Sequence, residues 1–183
     1  LYRDTNGNGA QDVGEPNLAN VDVLITDSLG NTQTVSTNAS GDWSASVPPG
    51  STTANVNELD PDFIALVPAG YQQTEGTDPS TVTAVAASSV SAGIDGYYNP
   101  ATVTGHLYLD TNGNGTQDVG EPNLANVDVL ITDSLGNTQT VVTDADGNWS
   151  ATVPPGSTTA NVNETDPDFP AGVTQTEGTD PTT

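Results

Sequence analysis

Hydrophobic and polar residues alternate along short stretches of this chain with a period of two, which is the pattern of a half-buried β-strand rather than a helix. Sustained runs of good helix formers are missing, whereas valine and threonine are abundant. The sequence therefore predicts strands, with the inward-facing residues Val21, Val23 and Ile25; Trp43, Ala45 and Val47; Ala54 and Val56; and Val90, Ala92 and Ile94.

Turn-forming sequences separate these stretches at short intervals. They include Ser28-Leu29-Gly30-Asn31 and Pro48-Pro49-Gly50, which combine Gly, Pro, Asn and Ser in the manner of tight turns. About seven short strands in roughly a hundred residues are typical of an immunoglobulin-like sandwich. We therefore predict an all-β fold made of tandem immunoglobulin-like β-sandwich repeats.

The chain repeats itself almost without change. The segment Leu1–Phe63 returns as Leu107–Phe169, and the two differ at eight positions: 3, 10, 36, 38, 40, 42, 46 and 59. Near-identical copies indicate an array, and we expect both ends of this sequence to lie within a repeat. The predicted organisation is repeat 1 at residues 1–98 with its first strand truncated, a short linker at 99–104, and repeat 2 at 105–183 with its C-terminal strands truncated.

The charge of the chain changes this picture. There are 24 acidic residues against one basic residue, Arg3, and no lysine, so the formal net charge is −23. Such self-repulsion opposes a compact state, and the chain must stay disordered or fold around cations. The alternating strands favour folding. A surface this acidic argues against nucleic acid as a partner, no stretch approaches the ~20 apolar residues of a membrane-inserted helix, and the absence of cysteine excludes disulfides and thiolate zinc sites.

One segment in each repeat fits a twelve-residue calcium loop. Oxygen-bearing side chains stand at positions 1, 3, 5, 9 and 12, a glycine at position 6 allows a sharp turn, and position 7 offers its backbone carbonyl. Strand-like flanks replace the usual helices, so the loop predicts a calcium site without a sensor's helix pair. The predicted ligands are Asp4, Asn6, Asn8, Ala10, Asp12 and Glu15 in the first copy, and Asp110, Asn112, Asn114, Thr116, Asp118 and Glu121 in the second.

Two further acidic clusters are weaker candidates for metal binding. The first precedes Trp149, where an Asp-Gly hairpin turn explains the residues equally well. The second follows the strand around Val56 in each copy, where a plain acidic turn is the alternative. The candidate secondary ligands are Asp144, Asp146 and Asn148, then Asp60 and Asp62, and Asp166 and Asp168.

The chain resembles the calcium-binding B repeats of serine–aspartate-repeat surface proteins, in the wider Cna-B-like group. The resemblance rests on Gly105–Asp110 leading into the loop, then on Gly120–Val129 and Thr143–Trp149, and the first copy carries the same stretch from Leu1 to Trp43. It implies a Greek-key sandwich stiffened by Ca²⁺ that serves as a stalk in secreted or cell-surface bacterial proteins. Some relatives contain a lysine–asparagine isopeptide bond, which a chain without lysine cannot form.

The leading hypothesis is a calcium-stabilised structural repeat of a long extracellular or cell-surface protein, forming a stiff stalk or fibre for adhesion or matrix, with neighbouring repeats or other copies as partners. The alternative is a glycan- or cell-binding module of a bacterial adhesin, with the candidate aromatics Tyr2, Tyr71, Tyr97 and Tyr98. An enzyme is not expected, because a single histidine, His106, and no lysine or cysteine leave no nucleophile–base pair to assemble.

Overall fold

The computed structural model describes residues 1–182, which form two compact units with the boundary after Pro100. Repeat 1 precedes this boundary and repeat 2 follows it. Residues 101–104, predicted as part of a linker, instead belong to the first strand of repeat 2. The linker is therefore shorter than predicted, because the β-branched residues Thr102, Val103 and Thr104 pair with another strand of repeat 2.

Repeat 1 contains seven strands and one short helix. One sheet has the strand order β3-β2-β4-β6 and the other β1-β7-β5, and all pairs are antiparallel except β1 with β7. This 4 + 3 arrangement is an immunoglobulin-like β-sandwich, as predicted. The elements are β1 (Tyr2–Arg3), β2 (Asp22–Thr26), β3 (Thr32–Ser36), β4 (Gly50–Val56), α1 (Pro61–Leu66), β5 (Gln72–Glu75), β6 (Ser80–Ala84) and β7 (Gly96–Tyr98).

Repeat 2 contains five strands within its described residues. One sheet has the order β10-β9-β12, and β11 pairs with β8 in the other. The strands are β8 (Ala101–His106), β9 (Asp128–Thr132), β10 (Thr138–Val142), β11 (Asn148–Val153) and β12 (Thr159–Val162). Strands β9, β10 and β12 repeat the positions of β2, β3 and β4, so the sequence duplication is also a duplication of structure.

The inward face of β2 forms the centre of the core in repeat 1. Val21, Val23 and Ile25 are at most 1% exposed, which confirms the predicted alternation. Helix α1 adds Phe63, whose ring lies edge-on to that of Tyr97 at 5.0 Å between centroids. The helix was not predicted, although Asp60 as N-cap followed by Pro61 is a recognised helix start.

The predicted strand through Val90, Ala92 and Ile94 is wrong. Residues 85–95 form no strand, and Val90 and Ile94 are 46% and 50% exposed. A strand needs a neighbour for its backbone N–H and C=O groups, and an alternating pattern cannot by itself supply one.

Substitution of the buried Thr37 should separate the contribution of hydrogen bonds to stability from the contribution of packing. The Thr37 hydroxyl donates to the Leu18 carbonyl at 2.6 Å and accepts from the Val21 N–H at 2.9 Å. We expect Thr37→Val to lower the free energy of unfolding by about 1–3 kcal/mol, because two buried backbone groups lose their partner. Urea denaturation of Thr37→Val and of the exposed control Thr34→Val checks this, and equal stabilities would contradict it.

Candidate metal centre

The two predicted calcium loops, residues 4–15 and 110–121, have the same backbone. In the first loop, the Arg3 N–H donates to the Pro16 carbonyl at 2.8 Å, so the chain enters and leaves at adjacent points. The second loop is closed in the same way by Leu109 and Pro122, at 2.9 Å. Glycine at position 6 has a positive φ in both loops, 74° at Gly9 and 76° at Gly115, which a side chain would oppose.

The first aspartate of each loop organises the turn. Asp4 is fully buried, and its Oδ1 accepts from the Gly7 N–H at 2.6 Å while its Oδ2 accepts from the Gly9 N–H at 2.8 Å. Asp110 makes the equivalent bonds in the second loop. There the backbone N–H of Gly115, with further loop N–H groups, lowers the pKa of Asp110 to about 2. The Asp110 carboxylate is therefore held ionised, chiefly by the backbone of its own loop and also by the Thr176 side chain.

The side chains at positions 3, 5 and 9 meet at one carboxylate oxygen. The amide nitrogens of Asn6 and Asn8 lie 2.9 and 2.8 Å from Asp12 Oδ2. In the second loop both corresponding distances, to Asp118 Oδ2, are 2.7 Å. An amide carries an oxygen as well as a nitrogen, so rotation of the same two side chains would offer oxygen atoms to a cation at this point.

The glutamate at position 12 ties the ends of the loop together. Glu15 accepts from the Thr5 N–H at 2.6 Å and from the Asp12 N–H at 3.0 Å. Glu121 makes the same pair of bonds. At position 7 the side chains differ, since Ala10 has none to offer and the Thr116 hydroxyl donates to Asn114. Only the backbone carbonyl is common to both copies at that position.

This donor set fits a hard cation that accepts neutral oxygens. Among residues 1–182, no three carboxylate or imidazole side chains surround one point. A cation in the loop would therefore need amide and backbone oxygens beside the carboxylates. Ca²⁺ accepts six to eight such oxygens in a flexible shell, whereas Mg²⁺ demands a tighter octahedron. The residues present thus fit Ca²⁺ better than Mg²⁺.

The candidate secondary ligands are engaged in backbone hydrogen bonds. Asp144 Oδ1 accepts from the N–H groups of Asp146 and Asn148, both at 2.9 Å, which closes the hairpin turn. Asp60 caps α1 through the Asp62 N–H at 2.8 Å and also accepts from Asp22 N–H. Asp166 makes the corresponding bonds to the N–H groups of Asp168 and Asp128. These bonds give the three aspartates structural roles, and metal binding at these clusters stays a prediction.

A carboxyl pair that sequence reasoning missed lies beside the core of repeat 1. Burial, together with the hydrogen-bonded and charged Glu58, raises the pKa of Asp78 to about 6. Asp78 also accepts from the Val56 N–H at 2.8 Å. In repeat 2, burial and Glu164 raise the pKa of Asp180 in the same way. The exact return of the segment 73–79 as 175–181 was the available signal.

The aromatic candidates for glycan binding belong mostly to the core. Tyr2, Tyr97 and Tyr98 are 0%, 1% and 8% exposed, and Tyr71 packs its ring against Phe63. Strand-end packing therefore accounts for all four. His106 lies exposed on β8, where its ring contacts Asn148 and Gln117 side chains.

The Asp78 pair predicts a pH dependence. A carboxyl whose pKa is about 6 when folded and about 3.9 when unfolded destabilises the fold above pH 6, and this cost fades as the pH falls from 6 towards 4. Asp78→Asn should therefore raise the melting temperature at pH 7.5, and the difference from the unaltered chain should shrink by pH 5. Melting in excess chelator, with exposed Asp62→Asn as the control, measures this. A difference independent of pH would contradict it.

The chain is similar in sequence to a bacterial serine-aspartate repeat-containing protein. The chain is 31% identical over 144 residues, 74% of its length, to serine-aspartate repeat-containing protein D of Staphylococcus aureus strain Newman, and strain MW2 gives the same values. The chain spans only about a tenth of the length of these curated relatives. No family model matches.

Two solved structures are similar at low scores. The Bacillus anthracis TIE protein is 18% identical, with 82% of this chain and 26% of that chain covered and a TM-score of 0.30. A tetra-tandem repeat in the extending region of a large adhesion protein is 21% identical, with 81% and 39% covered and a TM-score of 0.18. The relationship therefore depends on the sequence match, by which the chain belongs to the SdrD B-like repeats.

Proposed function

We propose that this chain is a calcium-stabilised structural repeat of a long extracellular or cell-surface protein, where it forms part of a stiff stalk or fibre. Similarity to a serine-aspartate repeat-containing protein, of whose length the match covers only about a tenth, supports a place in a repeat array. The near-identity of the two repeats supports a role in length rather than in chemistry, because stacking copies extends a protein without adding a new site. Among residues 1–182, no helix is both long and apolar enough to cross a membrane.

The observation that carries the calcium proposal is the convergence of Asn6, Asn8 and Asp12 on one point, repeated in the second loop. It stands in a chain with 24 acidic residues and one basic residue. Internal ion pairs can neutralise almost none of this charge, so external cations must reduce the repulsion. A divalent ion in each loop would place positive charge beside the carboxylates at positions 1, 9 and 12.

The stabilisation expected from binding is large enough to matter. An ion that binds only the folded state contributes about 1.4–2.7 kcal/mol per site when its concentration is 10–100 times its dissociation constant. Typical domains are stable by only about 5–15 kcal/mol. Two loops would therefore supply a substantial share of the stability of the chain and hold β1 and the corresponding residues 108–109 in place.

Neither alternative class finds comparable support in this chain. A glycan-binding module needs exposed aromatic platforms, and three of the four candidate tyrosines are buried. A catalytic role needs a convergent nucleophile and base, whereas the ring of His106 hydrogen-bonds to the amide side chains of Asn148 and Gln117 and stacks on Tyr108. The structural role is the one that accounts for the presence of the same loop in both repeats.

Removal of the ion tests the proposal directly. We expect excess EDTA to lower the melting temperature of the full chain by about 5 °C or more, because loss of roughly 1.4–2.7 kcal/mol per site shifts a domain of this size by several degrees. Added CaCl₂ should restore it, and isothermal titration should give two ions per chain. Melting that is unchanged by EDTA would refute the calcium proposal.

The differences between the two repeats provide matched variants. Asp118→Asn should weaken calcium binding at the second loop by at least about tenfold, because it removes the carboxylate at which the side chains converge. Thr116→Ala should leave binding unchanged, since Ala10 already occupies that position in the first loop. Asp42→Asn, which matches Asn148, controls for loss of one charge outside the loop. Titration calorimetry of the three variants tests this, and an equal loss of affinity in Asp118→Asn and Asp42→Asn would show a general charge effect instead.

A further inference from the structure

Every Asn–Gly pair of this chain lies in one of the two predicted calcium loops. Asparagine stands at positions 3 and 5 of each loop and glycine follows it, which gives the pairs 6–7, 8–9, 112–113 and 114–115. All other asparagines precede a larger residue. An asparagine before glycine is especially prone to lose its amide group, because glycine has no Cβ to shield its backbone nitrogen from the asparagine side chain. The loops therefore contain the asparagines of the chain that are most labile by sequence.

The loss of the amide group requires only water. The backbone nitrogen of the glycine gives up its proton and attacks Cγ of the preceding asparagine, the Cγ–Nδ2 bond breaks, and Nδ2 takes up a proton and leaves as ammonia. Water then opens the resulting five-membered succinimide at either carbonyl, which gives aspartate or isoaspartate. In total a water molecule enters and ammonia leaves, and nothing is oxidised or reduced. The reaction replaces a neutral amide with a carboxylate.

The closed loop restrains each reacting group of the pair 112–113. The Gly113 N–H donates to Asp110 Oδ1 at 2.6 Å, so the nitrogen that must attack keeps its proton beside a negative charge. The Asn112 side chain is held at both ends, because its Nδ2 donates to Asp118 Oδ2 at 2.7 Å and its Oδ1 accepts from the Asn114 N–H at 3.0 Å. The reaction therefore requires the loop to open, and exposed loops open at low cost in free energy.

The two pairs of the second loop differ in the space around their glycines. Gly113 is exposed, and a Cβ added to it would meet nothing within 4 Å. Gly115 is half-buried, and an added Cβ would lie 3.1 Å from the Thr176 carbonyl oxygen. The first loop has the same contact, at 3.1 Å, between Gly9 and the Thr74 carbonyl oxygen. Formation of the succinimide ring requires the backbone at the glycine to rotate, so the pair 112–113 has room to react and the pair 114–115 does not.

We propose that Asn112 is a site of spontaneous deamidation controlled by the opening of its loop, and that the change makes the loop depend on a bound cation. In the unmodified loop the amide nitrogens of Asn112 and Asn114 donate to Asp118 Oδ2, both at 2.7 Å, so the loop closes without an ion. After deamidation a carboxylate faces Asp118 instead, and the two like charges repel unless a cation lies between them. The effect on Ca²⁺ rests on the proposed function, whereas the deamidation itself does not.

Incubation of the folded full chain in H₂¹⁸O at mildly alkaline pH tests the site. Heavy oxygen enters where water opens a succinimide, and tandem mass spectrometry locates it. We expect Asn112 to react at least about tenfold faster than Asn114, because rotation at Gly115 must strain the contact with the Thr176 carbonyl. In the chain unfolded by urea the two rates should be alike, since glycine follows both asparagines. Equal rates in the folded chain, a faster reaction at Asn114, or no reaction at Asn112 by the time the unfolded chain is converted would overturn the proposal.

Two substitutions test the control of the reaction by the loop. Asp110→Asn replaces the carboxylate beside the Gly113 N–H, so we expect Asn112 to react at least about tenfold faster, the factor that a hydrogen bond to a charged group supplies. Asp118→Asn frees the Asn112 amide and leaves Asp110 in place, and it gives a second measurement if the first variant fails to fold. Asn6, in the first loop of the same chain, should keep its rate in both variants. An unchanged rate at Asn112 in the folded variants would overturn the control by the loop.

Asn112→Asp reproduces the aspartate product and tests its effect on the loop. In excess EDTA we expect it to lower the melting temperature by about 4 °C or more, because repulsion between two carboxylates replaces a hydrogen bond to a charged group. Excess CaCl₂ should abolish or reverse the difference. Asn161→Asp, at an exposed position of β12, adds the same charge outside the loop and serves as the control. Equal shifts in the two variants, or a shift that CaCl₂ leaves unchanged, would overturn the dependence on a cation. Melting of the unaltered chain that ignores EDTA would refute the proposed function and leave the rates at Asn112 as they are, so the two failures are distinguishable.

Discussion

The carboxylates of this chain bond to backbone N–H groups because almost no basic side chain is available to them. Asp4 accepts from the turn of its own loop, Asp27 from the hairpin at Leu29 and Asn31, and Asp60 from the start of α1. Each such bond fixes a turn and keeps a negative charge solvated by peptide dipoles. The acidic composition is thus also the chain's means of defining its loops, and the sandwich depends on those loops to connect its short strands.

Hydrogen bonds to backbone N–H groups leave an electrostatic repulsion among the carboxylates that the fold cannot remove by itself. Backbone N–H groups orient carboxylates but carry no net charge, so the repulsion implied by a net charge of −23 persists. The half-buried pair of Asp78 and Glu58 shows this locally, because the pKa of Asp78 rises to about 6. Calcium in the two loops, as proposed, would reduce the repulsion where three oxygen-bearing side chains meet. Stability and cation supply would then be linked, which would suit the proposed place in an extracellular or cell-surface protein.

Comparison of the two repeats separates the effect of sequence from that of neighbours. Residues 42–47 and 148–153 are almost identical, yet only the second segment is a strand, because only it lies beside β8. The exposed residues Val90 and Ile94 show the same dependence, since their alternation predicted a strand that no neighbour supports. In an array of sandwiches, strand pairing is therefore a property of which segments are present together.

The sequence by itself determined the all-β class, the duplication, the inward residues of β2 and the bonding pattern of the loops. These features depend on local periodicity, on glycine at positions of positive φ, and on side chains a few residues apart. Tertiary structure alone decided that Ala101 begins a strand rather than continuing a linker, that Tyr97 is core rather than surface, and that Asp78 faces Glu58. Each of these depends on segments about twenty or more residues apart, whose approach is set by packing of the sheets and leaves no periodic signal in the chain.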